Sequence, residues 1–270
     1  GGSGQNDLLG GKGANLAEMT NLGIPVPAGF TITTDVCTYF MDNNDFPINL
    51  NSEINTSMKK VESIMGKNFG DTKNPLLVSV RSGAKESMPG MMETVLNVGL
   101  TEGTVAGLAL SSSNPRFAYD SYRRLIMMYA DVVMEKSDGV QVENNMGIRH
   151  KLEGFMDEYK NNKGCSEDTD LNAEDLKTLC GEFKNIIKKT LDMEFPDDPN
   201  VQLKSAIKAV FNSWDGERAQ SYRKIENISD RAGTAVNIQS MVFGNMGTGS
   251  ATGVAFTRNP STGENVFYGE

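Results

Sequence analysis

Residues 76–100 constrain the fold more than any other stretch, because two apolar runs there enclose a segment that breaks regular structure. The sequence reads LLVSVRSGAKESMPGMMETVLNVGL. Residues 76–80 are apolar and partly β-branched, which predicts a buried strand, and residues 94–98 predict a second one. Between them, the glycine and hydroxyl residues around Pro89-Gly90 predict a loop. We therefore expect a strand, a loop and a strand, with Arg81 placed directly after the first strand.

Arg81 and the loop behind it have the chemistry of an anion site. Arginine supplies a rigid, permanently charged fork of donors, and glycine lets backbone N–H groups approach an anion closely. A strand that ends in Arg81 can therefore hold a polyphosphate together with the loop. The same pattern also fits a surface ion pair followed by an ordinary turn, which is the commoner case for an arbitrary protein.

A second glycine-rich segment lies near the start of the chain. Residues 10–13 read GGKG, and Leu16, Met19 and Leu22 follow at helical spacing before Gly23. This pattern predicts a glycine loop that leads into a short helix capped by Gly23. Lys12, just before the helix, adds its charge to the unpaired N–H groups of the helix N-terminus, an arrangement that suits anions. The spacing is not that of a P-loop, and a generic glycine-rich turn is the alternative.

Further along, the apolar spacing is mostly helical. Residues 53–65 and residues 115–134 predict amphipathic helices. Residues 135–200 are polar, rich in Lys, Glu and Asn, and keep helical spacing. Residues 199–224 predict one more helix, in which the single tryptophan, Trp214, is expected to lie in the core or at a subdomain interface.

The last part of the chain changes to a strand-like pattern. Residues 234–243 are long and apolar enough for a central strand. A glycine-rich connection follows, after which residues 253–257 are expected to pair back and residues 265–268 to form a third strand. The sequence thus predicts a β-meander at this end and an α+β fold overall.

We expect four segments along the chain. Residues 1–7 are predicted to be a linker or expression remnant, residues 8–112 an N-terminal α/β subdomain, residues 113–230 an inserted helical subdomain, and residues 231–270 the β-meander part of a second subdomain.

Composition narrows the class of partner. The formal net charge of −9 disfavours nucleic acid or an acidic membrane held by general electrostatics, although a nucleotide needs only a few local cations. Cys37, Cys165 and Cys180 are odd in number and lack metal-site spacing, so we expect a reducing, cytoplasmic setting. No secretory signal pattern or apolar run of about 20 residues is apparent.

Six strings together resemble one known family. SVRSGA at 79–84 and SMPGMM at 87–92 resemble the N-terminal nucleotide-binding domain of pyruvate phosphate dikinase. Four more agree in chain order: LLGGKGANLAEM at 8–19, NPRFAYDSYRR at 114–124, VNIQSMVFGN at 236–245 and GVAFTRNPSTGE at 253–264. Because the matches run in order from residue 8 to the last residue, chance similarity does not account for them.

The resemblance implies an ATP-grasp fold, in which two α+β subdomains close on ATP. It implies that Lys12 and Arg81 hold the ATP phosphates and act in catalysis. It also implies that Gly90 offers a backbone N–H to the triphosphate, that Thr94 makes a hydroxyl or backbone contact, and that Gln239 contacts the nucleotide.

The resemblance also implies a reaction. In that family, ATP gives its β- and γ-phosphoryl groups to a histidine on a separate domain, phosphate then takes the γ-phosphoryl as pyrophosphate, and pyruvate takes the other to give phosphoenolpyruvate. The expected cofactor is Mg²⁺, the expected partners are ATP and the phosphohistidine domain, and the full-length enzyme is expected to be a homodimer. Since the family's metal ligands match no residue up to Glu270, we assign no metal ligand here and expect this chain alone not to complete the cycle.

Two other functions fit the sequence. One is the nucleotide-binding domain of a related phosphoenolpyruvate synthase-type phosphotransferase, although the string SMPGMM favours the dikinase branch. The other is a catalytically inactive interaction module that keeps a degraded cleft. Retention of Lys12, Arg81, Gly90 and Thr94 favours an enzyme fragment over such a module.

Overall fold

The computed structural model describes residues 1–137 and 147–270, and it has the α+β class that the sequence predicts. Its centre is a four-stranded sheet in the order β1-β6-β4-β5, in which every neighbouring pair is antiparallel. The strands are β1 (Gly29–Ile32), β2 (Asn68–Phe69), β3 (Pro75–Leu76), β4 (Val78–Ala84), β5 (Thr94–Val98), β6 (Thr234–Ser240), β7 (Ala255–Phe256) and β8 (Tyr268–Gly269). Two short ribbons, β2-β3 and β7-β8, lie outside this sheet.

Helices surround the sheet and fill the chain between β5 and β6. The α-helices are α1 (Asn6–Asn21), α2 (Thr34–Asn43), α3 (Leu50–Met65), α4 (Glu102–Ser112), α5 (Pro115–Tyr129), α6 (Ile148–Lys163), α7 (Ala173–Leu191), α8 (Pro199–Asn212) and α9 (Glu217–Glu226). Short 3-10 helices occur at Ser3–Gln5, Asp168–Asp170, Ser213–Asp215 and Asp230–Ala232, and α5 continues as π-helical turns over Ala130–Ser137. None of the helices in the described ranges combines the length and apolar character needed to cross a bilayer.

The two faces of the central sheet differ in chemistry because side chains alternate along a strand. On one face, Val80 of β4 lies opposite Ile238 of β6, and both belong to the main hydrophobic core together with Phe211 of α8. On the other face, Arg81 lies opposite Asn237. The sheet therefore separates an apolar core from a polar surface that α1 covers.

Three helix predictions need correction. Residues 115–134 do form a helix, but its α-helical part ends at Tyr129 and π-helical turns follow. Residues 199–224 form two helices, α8 and α9, because the chain turns through a 3-10 helix at Trp214. Residues 10–13 are not a loop before a helix but lie within α1, whose helical geometry is interrupted at Gly10. This helix begins at Asn6.

Two strand predictions were wrong. Arg81 does not follow a strand but lies inside β4, which extends to Ala84 because its second half pairs with β6. The predicted meander is also absent from the described ranges: β6 pairs with β1 and β4, whereas the two-residue strands β7 and β8 pair with each other. The apolar pattern identified β6 as a strand, but the choice of partner depends on residues far away in the sequence.

Gly10 is the position where the backbone of α1 must be glycine. Its φ of 66° and ψ of 168° fall in a region that residues with a Cβ avoid. A Cβ built there would lie 1.4 Å from the carbonyl oxygen of Gly83 in β4. The break in α1 at Gly10 and the close approach of this helix to β4 therefore both depend on the absence of a side chain at residue 10.

We expect Gly10→Ala to lower the free energy of unfolding by about 2–6 kcal/mol, because backbone strain and overpacking each contribute about 1–3 kcal/mol. Gly23→Ala is the matched control. Gly23 also has a positive φ, of 78°, but no atom lies within 4 Å of a Cβ built on it, so only about 1–2 kcal/mol should be lost. Urea denaturation of the two variants measures both values, and equal losses would contradict the close contact with β4.

Candidate functional site

A cleft of about 720 Å³ lies between α1, the end of β4 and the loop that follows it. This volume is within the range of small-molecule binding sites. Among the residues that line it are Lys12 from α1, Ser82 from β4, Gly90 from the loop and Thr94 from β5. Residues from two segments of the chain, α1 and the stretch from Ser82 to Thr94, thus meet at one concave surface.

Lys12 is held at this cleft by the packing of α1 on β4. After the break at Gly10, helical geometry resumes, so Lys12 lies in the first turn of the second part of α1. Its Nζ donates a hydrogen bond to the carbonyl oxygen of Ser82 at 2.8 Å. The bond fixes the ammonium group beside the strand while leaving it further N–H donors, since an ammonium carries three.

Arg81 forms the centre of a polar network on the same face of the sheet. It pairs across the strands with Thr94 on one side and Asn237 on the other. Its Nη2 donates to the side-chain oxygen of Gln239, whose own amide nitrogen donates to the carbonyl oxygen of Pro27 at 3.1 Å. The Nε of Arg81 is buried and has no hydrogen-bond partner among the described residues. Gln239 therefore orients a guanidinium group that retains unused donor capacity.

Lys12 and Arg81 also affect each other electrostatically. Burial lowers the pKa of Lys12 below its usual value, and the positive charge of Arg81 lowers it further. Burial likewise lowers the pKa of Arg81. Within the described parts of the chain, neither cation has an acidic side chain at ion-pair distance, unlike neighbouring Lys85, whose Nζ lies 2.5 Å from Asp7. Two half-buried cations without a counter-charge form a site that favours an anion.

The loop between β4 and β5 presents Gly90 at a turn. The backbone N–H of Met91 donates to the carbonyl oxygen of Met88 at 3.2 Å, which closes the turn around Pro89 and Gly90. Gly90 has a φ of 72°, and proline followed by glycine at these two positions is typical of a type II turn. Gly90 is exposed, and no atom lies within 4 Å of a Cβ built on it. Its backbone is therefore accessible from the cleft.

The structure thus brings together part of the predicted set. Lys12, Gly90 and Thr94 line the cleft, whereas Arg81 and Gln239 do not line it and instead contact each other on the adjoining sheet.

Sequence reasoning missed Asn237, which accepts a hydrogen bond from the hydroxyl of Thr31 at 2.9 Å and lies opposite Arg81. The signal was present, because Asn237 and Gln239 alternate with Val236 and Ile238 along β6. Such alternation indicates a strand with one polar face.

Acidic ligands are sparse around the cleft. Across residues 1–137 and 147–270, no group of three or more His, Cys, Asp or Glu side chains is placed to hold a metal ion. Glu86 is a lone carboxylate among the described residues that line the cleft, beside the cations Lys12 and Lys85.

Comparison with known families gives a match over most of the chain. The model of the pyruvate phosphate dikinase AMP/ATP-binding domain matches residues 6–64 and 46–269. These ranges include every predicted site residue, from Lys12 to Gln239.

Individual pyruvate, phosphate dikinases are also similar to the chain in sequence. The chain is 52% identical over 272 residues to pyruvate, phosphate dikinase of Clostridium symbiosum, an alignment that covers 100% of the chain and 30% of that protein. It is 49% identical over 266 residues to pyruvate, phosphate dikinase of Rhizobium meliloti, with 98% of the chain and 28% of that protein covered. It is 50% identical over 265 residues to the chloroplastic pyruvate, phosphate dikinase 1 of Zea mays, with 98% and 27% covered. The chain therefore spans less than a third of the length of these curated relatives.

The lowered pKa of Lys12 predicts a pH-dependent difference between the wild type and Lys12→Met. The folded chain binds the Lys12 proton more weakly than the unfolded chain does, so the folded state becomes relatively more stable as that proton is lost. The wild type should gain stability relative to Lys12→Met as the pH rises from the lowered folded value towards 10.5, the usual lysine pKa. Chemical denaturation of both proteins across this alkaline range measures the difference.

The matched control for this experiment is Lys60→Met, which removes an exposed lysine from α3. Its stability relative to the wild type should stay constant over the same pH range. Parallel pH profiles for the wild type and Lys12→Met would contradict the burial of an unpaired ammonium group at the cleft.

Proposed function

The chain belongs to the family of pyruvate phosphate dikinase AMP/ATP-binding domains, and we propose that it binds Mg·ATP in the cleft beside Lys12. The family supplies the ligand class, and the cleft supplies a suitable site. The observation that carries the proposal is the pair of half-buried cations, Lys12 and Arg81, that have no acidic partner among the described residues.

Each residue has a role that its surroundings support. Lys12 supplies an ammonium group to the triphosphate from the first turn after the break in α1. Arg81 supplies a guanidinium fork, which Gln239 orients from β6. Gly90 offers its backbone N–H from the exposed turn, and Thr94 offers a hydroxyl from the start of β5. Phosphoryl transfer depends mainly on such positioning and charge neutralisation, so these residues supply what the chemistry needs from this part of the protein.

Magnesium enters this proposal as part of the substrate, Mg·ATP. The described residues do not offer the set of carboxylate ligands that a protein-bound Mg²⁺ uses, so we assign no protein ligand and no catalytic step to the metal. When bound with ATP, the ion would neutralise part of the phosphate charge, and Lys12 and Arg81 would neutralise more of it.

The wider reaction is a proposal for a longer protein, since the chain spans less than a third of its relatives. We propose that this domain presents ATP to a histidine on a separate domain, which receives the β- and γ-phosphoryl groups with release of AMP. Transfer of the γ-phosphoryl to phosphate and of the remaining group to pyruvate would complete the pyruvate phosphate dikinase reaction. The sole histidine of this chain, His150, is exposed on α6 between Arg149 and Lys151 and has no role in this scheme.

Calorimetric titration with Mg·ATP tests the proposal. Arg81→Ala should weaken binding by about 1.5–3 kcal/mol, the contribution typical of a hydrogen bond to a charged group. Arg81→Lys should recover part of the loss, because lysine restores the charge but not the planar fork.

The control for this titration is Arg231→Ala, which removes an arginine with an 82% exposed side chain outside the cleft and should leave the affinity unchanged. Equal affinity of Arg81→Ala and the wild type would contradict the role of Arg81. A folded wild-type chain that binds no Mg·ATP would contradict the proposal that these residues suffice for binding, and would favour an interaction module or a site completed elsewhere.

A further inference from the structure

Met88 is the most deeply buried residue of the loop between β4 and β5. Ser87, Pro89 and Gly90 around it are exposed, whereas Met88 retains only 7% of its accessible surface. Its side chain does not join the main core of the protein but packs in a second hydrophobic cluster with Trp214 and Ala219. This arrangement joins the loop between β4 and β5 to the bend between α8 and α9.

The bend is itself rigidly built around Trp214, which is fully buried. The guanidinium carbon of Arg223 lies 4.2 Å from the centre of the Trp214 ring, and Arg223 also donates to the carbonyl oxygen of Trp214. The indole N–H donates to the carbonyl oxygen of Asp230 at 2.8 Å, and the Asp230 carboxylate accepts from Arg223 Nε at 2.8 Å. These polar contacts around the ring hold it in one position.

The bend and helix α9 contact the loop on both sides of Met88. The hydroxyl of Tyr222 donates to the carbonyl oxygen of Ser87 at 3.5 Å, before Met88. After it, the backbone N–H of Glu93 donates to the hydroxyl of Ser213 at 3.2 Å, and the Glu93 carboxylate lies 3.2 Å from Arg218. These polar contacts are exposed or half-buried. Met91 and Met92 also pack against the cluster but are only partly buried, so Met88 is the most deeply buried apolar contact from the loop.

We infer that Met88 is a positioning residue, which seats against Trp214 and thereby holds the Gly90 turn at the cleft in the conformation that receives phosphate. This inference rests on the proposed function, because it concerns the same cleft. A glycine-containing turn fixed only by exposed contacts would populate many conformations, and binding would be weakened in proportion to the fraction that is competent. Met88 is also one of the residues that line the cleft, so its contact with Trp214 holds one wall of the cleft together with the turn.

The sequence provides its own reporter for this contact, because Trp214 is the sole tryptophan. Its fluorescence therefore reports the environment on which Met88 packs. In the absence of ligand, Met88→Ala should shift the emission to longer wavelength and increase quenching by acrylamide. Met88→Leu, which fills a similar volume, should resemble the wild type.

The deciding experiment compares the affinities of Met88→Ala, Met88→Leu and the wild type for inorganic triphosphate and for adenosine. Met88→Ala should bind triphosphate about 5- to 30-fold more weakly, the factor that corresponds to losing one modest interaction. Met88→Leu should bind it nearly as well as the wild type. The affinity for adenosine should not change, because the turn is proposed to hold phosphate and not the nucleoside.

Met41→Ala is the matched control. Met41 belongs to α2 and packs against the same cluster, but it is not part of the loop. Its removal should affect stability without weakening triphosphate binding, which separates a positioning role of Met88 from general support of the cluster.

Each result has a distinct meaning. A wild type that binds neither Mg·ATP nor triphosphate would overturn the proposed function, and the inference with it. A wild type that binds triphosphate, together with a Met88→Ala variant of equal affinity, would overturn the inference alone. Equal losses for triphosphate and adenosine would also overturn it.

Hydrogen exchange on the wild type decides the matter if Met88→Ala does not fold. Triphosphate should then slow exchange in residues 85–92 and in residues 213–223 together. Protection confined to the loop would overturn the inference.

Discussion

The pairing of β4 with β6 is the interaction on which the rest of the structure depends. It joins segments that lie 158 residues apart at the hydrogen bond between Arg81 and Gln239. Its register places Val80 opposite Ile238 in the core and Arg81 opposite Asn237 on the polar face. A slip of one residue would exchange these two faces and bury the arginine among apolar side chains, so burial of the core enforces the register. The same pairing therefore builds the core and assembles the charged part of the site.

The polar face of the sheet, with the helix α1 that covers it, includes two charges whose partial burial costs folding free energy. Lys12 and Arg81 lie close together, half-buried and without an acidic partner among the described residues, whereas buried charges in proteins are normally paired. Elsewhere in this chain the usual rule holds: Arg123 is buried, and its Nη2 lies 2.7 Å from Asp120. This contrast is the observation on which the proposed anion site rests. An anionic ligand that relieves this repulsion would stabilise the folded state by an amount that rises with the ratio of its concentration to its Kd.

Local patterns in the sequence indicated most of the helices and strands, but not all of their ends and not their assembly. The α+β class, the helix over residues 53–65 and the burial of Trp214 follow from apolar spacing and composition, which are properties of short segments. The extension of β4 beyond its apolar run could not be predicted in this way, because Ser82 and Gly83 become strand residues only through pairing with β6. For the same reason the partner of β6 was predicted wrongly. Lys12, Gly90 and Thr94 were placed at one site through family resemblance, since the geometry that joins them is set by long-range contacts.

The candidate site, which comprises the cleft and the adjoining sheet, therefore combines two levels of rigidity. Arg81 and Thr94 project from strands whose positions are fixed by the sheet, whereas Gly90 belongs to a turn that needs support from elsewhere. We infer that this support comes from the bend at Trp214, from which the chain runs through α9 and the 3-10 helix that begins at Asp230 into β6. The segment that contacts the loop is thus continuous with the strand that orients Arg81. Because the indole N–H of Trp214 donates to the carbonyl oxygen of Asp230, shortly before β6, the bend that contacts the loop is also hydrogen-bonded close to the strand that orients Arg81, and such supporting contacts favour a preorganised binding site.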